Sequence, residues 1–326
     1  MQGKEASEQE TRQKCTAGID VSKARLDAHV VPQNQTLQVP NTLEGIGRLK
    51  RWLMQFKPEL IAVEATSKWH RQLCRSLHAS GLAIAITDPF RVRHFALAHG
   101  ILDKTDKLDA RVLALFAQVM APSARPPAPE KLEELKEMVT ARDSAVAEQT
   151  SLQNQFAAAQ SAFLKRQLKR RIAFLAANIK AIERECLNRI HKDEAMAARF
   201  AILTSVPGIG TITAITLIAQ LSELGTLTHK QIAKLAGLAP LADDSGDREG
   251  TRHIRGGRPI VRRMLYFAAI TAVRHNFAMK AFYERLTTKN KSAKLVLVAV
   301  ARKLLLLANT LLAENRSWQP AAPNHA

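Results

Sequence analysis

Four acidic side chains stand where divalent-metal chemistry could be built. Asp20 follows the apolar run CTAGI, Glu64 closes LIAVE, and Asp106 and Asp109 lie three residues apart in KTDKLDAR. A carboxylate at the end of an apolar strand is expensive to bury without a partner. The three-residue spacing puts Asp106 and Asp109 on one face of a helix that starts near Thr105. Carboxylates on neighbouring strand ends repel one another, and a divalent cation lets both stay ionised. Oxygen donors without histidine or cysteine suit Mg2+ or Mn2+, and a pair of such ions can activate a nucleophile and stabilise a leaving oxygen in phosphodiester chemistry. Each acid also has an ordinary structural reading. Asp109 could pair with Arg111, Asp106 could cap a helix and Asp20 could hold a turn, while Asp27 and Asp103 are nearby acids best read as structural.

The elements that must position these acids follow from periodicity. CTAGIDVSKARLDAHVV and QTLQV are β-rich runs broken by polar turns, and a helical pattern runs from Leu43 to Phe56. LIAVEAT is a further strand, a helix is expected over about Lys68 to Ala79, and LAIAITD is a strand ending at Asp88 and Pro89. This β-β-β-α-β-α-β order predicts a mixed α/β sheet flanked by helices over residues 15–121, after a loose tail at 1–14. PSARPPAP makes 122–129 a proline-stiffened linker. No glycine or proline occurs between Glu130 and Val206, which predicts a long helical hairpin or coiled coil over 130–195. The KRQLKRR cluster, Lys165 to Arg171, belongs near its bend or on an exposed face.

Residues 196–313 predict an all-α C-terminal domain, followed by a disordered tail at 314–326. That domain opens with a Pro207-Gly208-Ile209-Gly210 turn between two apolar helical runs, similar to a helix-hairpin-helix. Gly208 and Gly210 would let backbone N-H groups at a helix start approach a phosphate, although a plain glycine turn between packed helices has the same sequence.

Charge indicates the partner. With 48 basic against 29 acidic side chains the net charge is +19, which favours a polyanion over a small neutral substrate. The excess is concentrated in residues 196–326, with 18 basic and 7 acidic groups. No apolar signal segment opens the chain, and the apolar stretch from Leu295 is interrupted by Arg302 and Lys303, so a buried helix is expected rather than a membrane span. Three scattered cysteines suggest neither a disulfide framework nor a zinc site, consistent with the cytoplasm.

In combination these residues carry a resemblance. Gly18-Ile19-Asp20, Val63-Glu64-Ala65-Thr66 and the KTDxxDAR run from Lys104 to Arg111 resemble the DEDD family of insertion-sequence transposases, whose N-terminal domain is RuvC-like, that is RNase H-like. Pro207 to Gly210, Gly237 to Pro240, and Ser245 with Gly246 are similar to the C-terminal serine transposase domain of that family. The family includes bridge-RNA-guided recombinases and is related to Piv-type DNA invertases. The resemblance implies that Asp20, Glu64, Asp106 and Asp109 bind metal and that Ser245 is the nucleophile. It also implies double-stranded DNA as substrate, a structured guide RNA and a homo-oligomer, with a tetramer expected. From chemistry alone Ser245 is an ordinary turn serine.

Arg248, Arg252, Arg255, Arg258, Arg262 and Arg263 follow the serine, enough guanidinium to clamp several phosphates, and Lys104 and Arg111 flank the acids. With aromatics at 5% there is little sign of a platform for stacking bases. Two alternatives keep the charge but give Ser245 no role: a RuvC-like nuclease or junction resolvase, and a non-catalytic nucleic-acid-binding protein. GIDVSK is also similar to the first strand of actin-like sugar kinases, but no second phosphate loop accompanies it.

Overall fold

The computed structural model describes residues 14–65, 68–101, 106–241, 250 and 252–320, and for 106–108 the backbone alone. Two compact units meet at Ala128 and Pro129, inside the proline-rich segment.

In the first unit β1 (Thr16–Val21), β2 (Arg25–Val31) and β3 (Gln35–Pro40) form an antiparallel meander. After α1 (Leu43–Phe56) comes β4 (Leu60–Glu64), then α2 (His70–His78), β5 (Ile84–Thr87), α3 (Pro89–Ala98) and α4 (Asp106–Met120). The sheet order is β3-β2-β1-β4-β5, with β4 parallel to β1 and β5 parallel to β4. This mixed sheet is consistent with the expected RuvC-like fold.

Strand alternation sorts the two faces. Ala17, Ile19 and Val21 of β1 pack with Leu49 and Leu53 of α1 and with Leu73 and Leu77 of α2. On the other face Ala62 meets Val92 and Phe95 of α3 and Leu113 and Phe116 of α4. Helix α3 is absent from the sequence reading, which took Asp88 and Pro89 only as a strand end. Asp88 caps it by accepting from the Phe90 N-H at 2.8 Å, and Pro89 sits in the first turn, where its missing N-H costs nothing.

Gly18 fixes how closely α4 approaches β1. A Cβ there would stand 2.2 Å from the Ala110 carbonyl oxygen and 2.3 Å from the Ala114 nitrogen, so the helix backbone rests on the strand. The Thr16 hydroxyl adds a hydrogen bond to the Ala114 carbonyl at 2.9 Å. Gly18→Ala is therefore expected to destabilise the protein by about 1–3 kcal/mol through overpacking. An unchanged urea midpoint in that variant would show that α4 does not depend on this contact.

The second unit holds α5 (Glu130–Ala158), α6 (Ala162–His191), α7 (Glu194–Thr204), α8 (Thr211–Gln220) and α9 (His229–Leu235). Next come the short strands β6 (Pro240–Leu241) and β7 (His253–Ile254), then α10 (Pro259–His275), α11 (Phe277–Thr287) and α12 (Ala293–Ala313). Ion pairs Arg171–Glu148, Arg142–Glu183 and Arg189–Glu134 tie α5 and α6 side by side in antiparallel sense. Leu135 and Val139 of α5 and Cys186 and Ile190 of α6 share one core with Leu203, Leu217 and Leu304. The helical stretch read as a separate region at 130–195 thus belongs to the same compact unit as the C-terminal helices.

Helix α12 is long and apolar enough to cross a membrane by length and composition. Its Val300, Leu304, Leu305 and Leu311 are instead buried, at helical spacing, in the core of the unit. The tail expected from residue 314 needs correction. The Trp318 ring packs on the core and the Trp318 backbone N-H donates to the Ser205 hydroxyl at 2.8 Å, so the chain is docked at least that far.

Candidate active site

Asp20 and Glu64 lie at the same end of neighbouring parallel strands. Ile19 pairs with Val63, and the two acids are the next residues along. Asp109 enters from α4, one residue before the Ala110 carbonyl that rests on Gly18. The strand and helix thus bring three of the four expected acids to one region, and Gly18, two residues from Asp20, sets the approach. The Asp106 backbone opens α4, and its side chain lies outside the described residues.

Electrostatics records the crowding. Burial, then the charges of Asp109 and Glu64, push the Asp20 carboxyl above the ordinary carboxylate value, against a hydrogen bond from the Val21 N-H. Among the described residues no three acidic, histidine or cysteine side chains stand close enough to hold an ion. The donor set fits a hard divalent ion: all oxygen, anionic, and partly withdrawn from water.

Two polar residues on this face were not read as part of the site. Asp27 pairs in register with Asp20 and is 5% exposed. It accepts from Arg25 Nε at 3.2 Å and Gln38 Nε2 at 2.5 Å, so its structural reading holds. His29 lies opposite Gly18, where burial and the Arg111 charge hold its imidazole below its usual value. The only sequence signal was its place among the alternating residues of β2. Arg111 itself is exposed on α4.

In the second unit, Ser245 and Arg248 lie outside the described residues, as does Lys104 in the first. β6 and β7 pair antiparallel, Leu241 with His253, so the two ends of the segment that carries Ser245 are pinned side by side. Two-residue strands leave no periodic trace in a sequence, which is why this ladder was read as loop.

The arginine run divides. Arg252 and Arg255 are exposed. Arg258 makes a bidentate pair with Glu223, both contacts at 2.7 Å, and also donates to the Gln220 carbonyl at 2.7 Å. Arg262 donates to the Gly256 carbonyl at 2.7 Å, and Arg263 pairs with Asp143. Of the six arginines expected at phosphates, Arg258, Arg262 and Arg263 thus also make contacts within this unit.

The glycine turn divides too. Gly208 has φ +108 and a Cβ there would meet the Ala272 Cβ at 2.4 Å, so packing against α10 explains it. Gly210 is the N-cap of α8, with open space on its Cβ side.

Comparison with known proteins places both units. A DEDD transposase model of the IS110 type, described as "Transposase", matches residues 17–163, and a model described as "Transposase IS116/IS110/IS902 family" matches residues 200–284. The chain is 24% identical over 315 residues to the "Pilin gene-inverting protein" of Moraxella bovis, covering 92% of this chain and 96% of that one. The protein of the same name from Moraxella lacunata matches at the same identity and coverage. The "Insertion element IS110 uncharacterized 43.6 kDa protein" of Streptomyces coelicolor is 28% identical over 125 residues, 37% of this chain and 31% of that one.

Proposed function

Because the chain belongs to the IS110/IS116/IS902 family of DEDD insertion-sequence transposases and is a DNA recombinase, we propose that it cuts and rejoins DNA strands through a phosphoserine formed on Ser245. In this reading Asp20, Glu64, Asp106 and Asp109 hold a divalent ion, Mg2+ or Mn2+. The observation that carries the metal half is the Asp20 carboxyl, raised by burial and by Asp109 and Glu64, since a cation relieves that repulsion. When bound, the ion supplies positive charge for the attacking and leaving oxygens. The support for Ser245 is its place in the segment between Gly237-Leu238-Ala239-Pro240 and the arginine run.

The remaining parts follow the family. Four strands are cut and joined when two duplexes recombine, which requires one serine for each and so a tetramer. An RNA encoded by the element guides the choice of DNA, a task that phosphate-binding arginines do not perform.

The test is recombination between two plasmid-borne element ends, with the adjoining noncoding transcript supplied. Activity is expected with Mg2+ or Mn2+ and absent in EDTA. DNA affinity should fall steeply with salt, by a log-log slope of about −0.9 for each phosphate contacted. A nearly flat slope, or full activity in EDTA, would overturn the corresponding half. Unchanged activity after ribonuclease treatment would remove the RNA and leave the strand chemistry standing.

A further inference from the structure

Between Glu148 and Glu183 the sequence contains no acid and six bases, Lys165, Arg166, Lys169, Arg170, Arg171 and Lys180. This stretch is the far half of the α5–α6 pair, whose own small core is Leu152, Leu168 and Leu175. Among the described residues only Arg171 of these bases has an ion pair, with Glu148. Lys165, Arg166, Lys169 and Arg170 are exposed.

At about 100° per residue, Leu168, Ile172, Leu175 and Ile179 fall on the stripe of α6 that is turned inward. Phe163, Arg166, Arg170, Phe174 and Ala177 fall on the opposite stripe. Phe163 is 64% and Phe174 71% exposed, so among the described residues nothing covers either ring. Arg166 and Arg170 are one turn apart, about 6 Å along the axis, and the rings flank them about 16 Å apart.

We propose that this outward stripe of α6 binds DNA whose bases are unpaired, with Arg166 and Arg170 on successive phosphates and Phe163 and Phe174 on base faces. Charge selects a polyanion and disfavours a second copy of the same stripe, because two acid-free basic surfaces repel. The rings select unpaired bases, because a base offers its π face only outside the stack. DNA is the substrate of this family, and cutting and rejoining strands exposes such segments. Sequence reading found little sign of a stacking platform from the aromatic fraction of 5%. Two rings on one basic helix face are enough to make one. The inference rests on the recombinase family alone and uses neither Ser245 nor the carboxylates, so it can fail without them.

The experiment measures binding of the full chain to labelled oligothymidine, to a duplex of equal length and to oligouridine. Phe163→Ala with Phe174→Ala should weaken oligothymidine binding about tenfold or more and leave the duplex within about twofold. Arg166→Gln with Arg170→Gln should weaken both DNA forms and reduce the single-strand salt slope by about 1.4. Both variants should keep the wild-type melting temperature, because these side chains are exposed. Unchanged oligothymidine binding in the phenylalanine variant overturns the proposal. So does an equal loss on duplex, a larger loss on oligouridine, or a fall in assembly mass, which would reassign the stripe to duplex backbone, to RNA or to a second copy.

Discussion

Ser245→Ala is expected to abolish strand cleavage and exchange, by at least on the order of a thousandfold, while leaving folding and DNA affinity close to wild type. The reason lies in what serine adds. Four carboxylates and a metal suffice for hydrolysis by water, but hydrolysis discards the phosphodiester bond. In the proposed reaction, attack by Ser245 Oγ would form a serine–phosphorus ester as the bond to a deoxyribose oxygen breaks, with the serine proton lost and the leaving hydroxyl gaining one. An incoming deoxyribose hydroxyl then reverses the exchange and frees the serine, so no high-energy cofactor is needed. Substitutions that remove no packed or buried group stay within about 0.5 kcal/mol, and the variant is expected to melt with the wild type. The measurement is a denaturation-resistant protein–DNA adduct on labelled substrate, present for wild type and absent for Ser245→Ala. An adduct or normal recombination in the alanine variant would make water or another side chain the nucleophile.

What was legible in the sequence depended on whether a signal was periodic. The order of elements along the first unit and the bounds of α1 followed from periodicity, and the burial of α12 from the charges of Arg302 and Lys303. The placement of Asp20 and Glu64 at neighbouring strand ends and of Asp109 on a helix was also legible, because apolar strand ends and a helix face can be read from spacing. Pairwise partners could not be. Nothing in RHIRGGRPIVRR distinguishes Arg258, committed to Glu223 and Gln220, from the exposed Arg255, since Glu223 lies far away in the chain. Gly208 and Gly210 are equivalent in the sequence, yet only Gly208 has a helix pressed against it. Helix α3 was missed because Asp88-Pro89 ends a strand and starts a helix at once. Trp318 was assigned to a tail because its neighbours are polar, whereas one indole ring can dock a segment.

Asp20→Asn should have two effects of opposite sign, and the pair tests the metal site better than activity alone. Recombination should be lost, because the ion loses an anionic donor. Stability without metal should rise. The folded pKa of Asp20 is raised above its unfolded value, first by burial and then by Asp109 and Glu64, so the ionised carboxylate destabilises the fold at neutral pH. Asparagine keeps the shape and removes that charge. In EDTA the variant should therefore melt above wild type. The gap should shrink as pH falls through the carboxylate range, because protonation neutralises Asp20 in wild type too. Adding Mg2+ or Mn2+ should reverse the order. An ion that binds only the folded state at about a hundred times its dissociation constant stabilises by about 2.7 kcal/mol, and the variant forfeits most of that. Thermal unfolding of both proteins, with chelator and with each ion across pH, reads all three effects. If Asp20→Asn melts below wild type in EDTA and responds equally to the ions, Asp20 is a structural acid and the cation lies elsewhere.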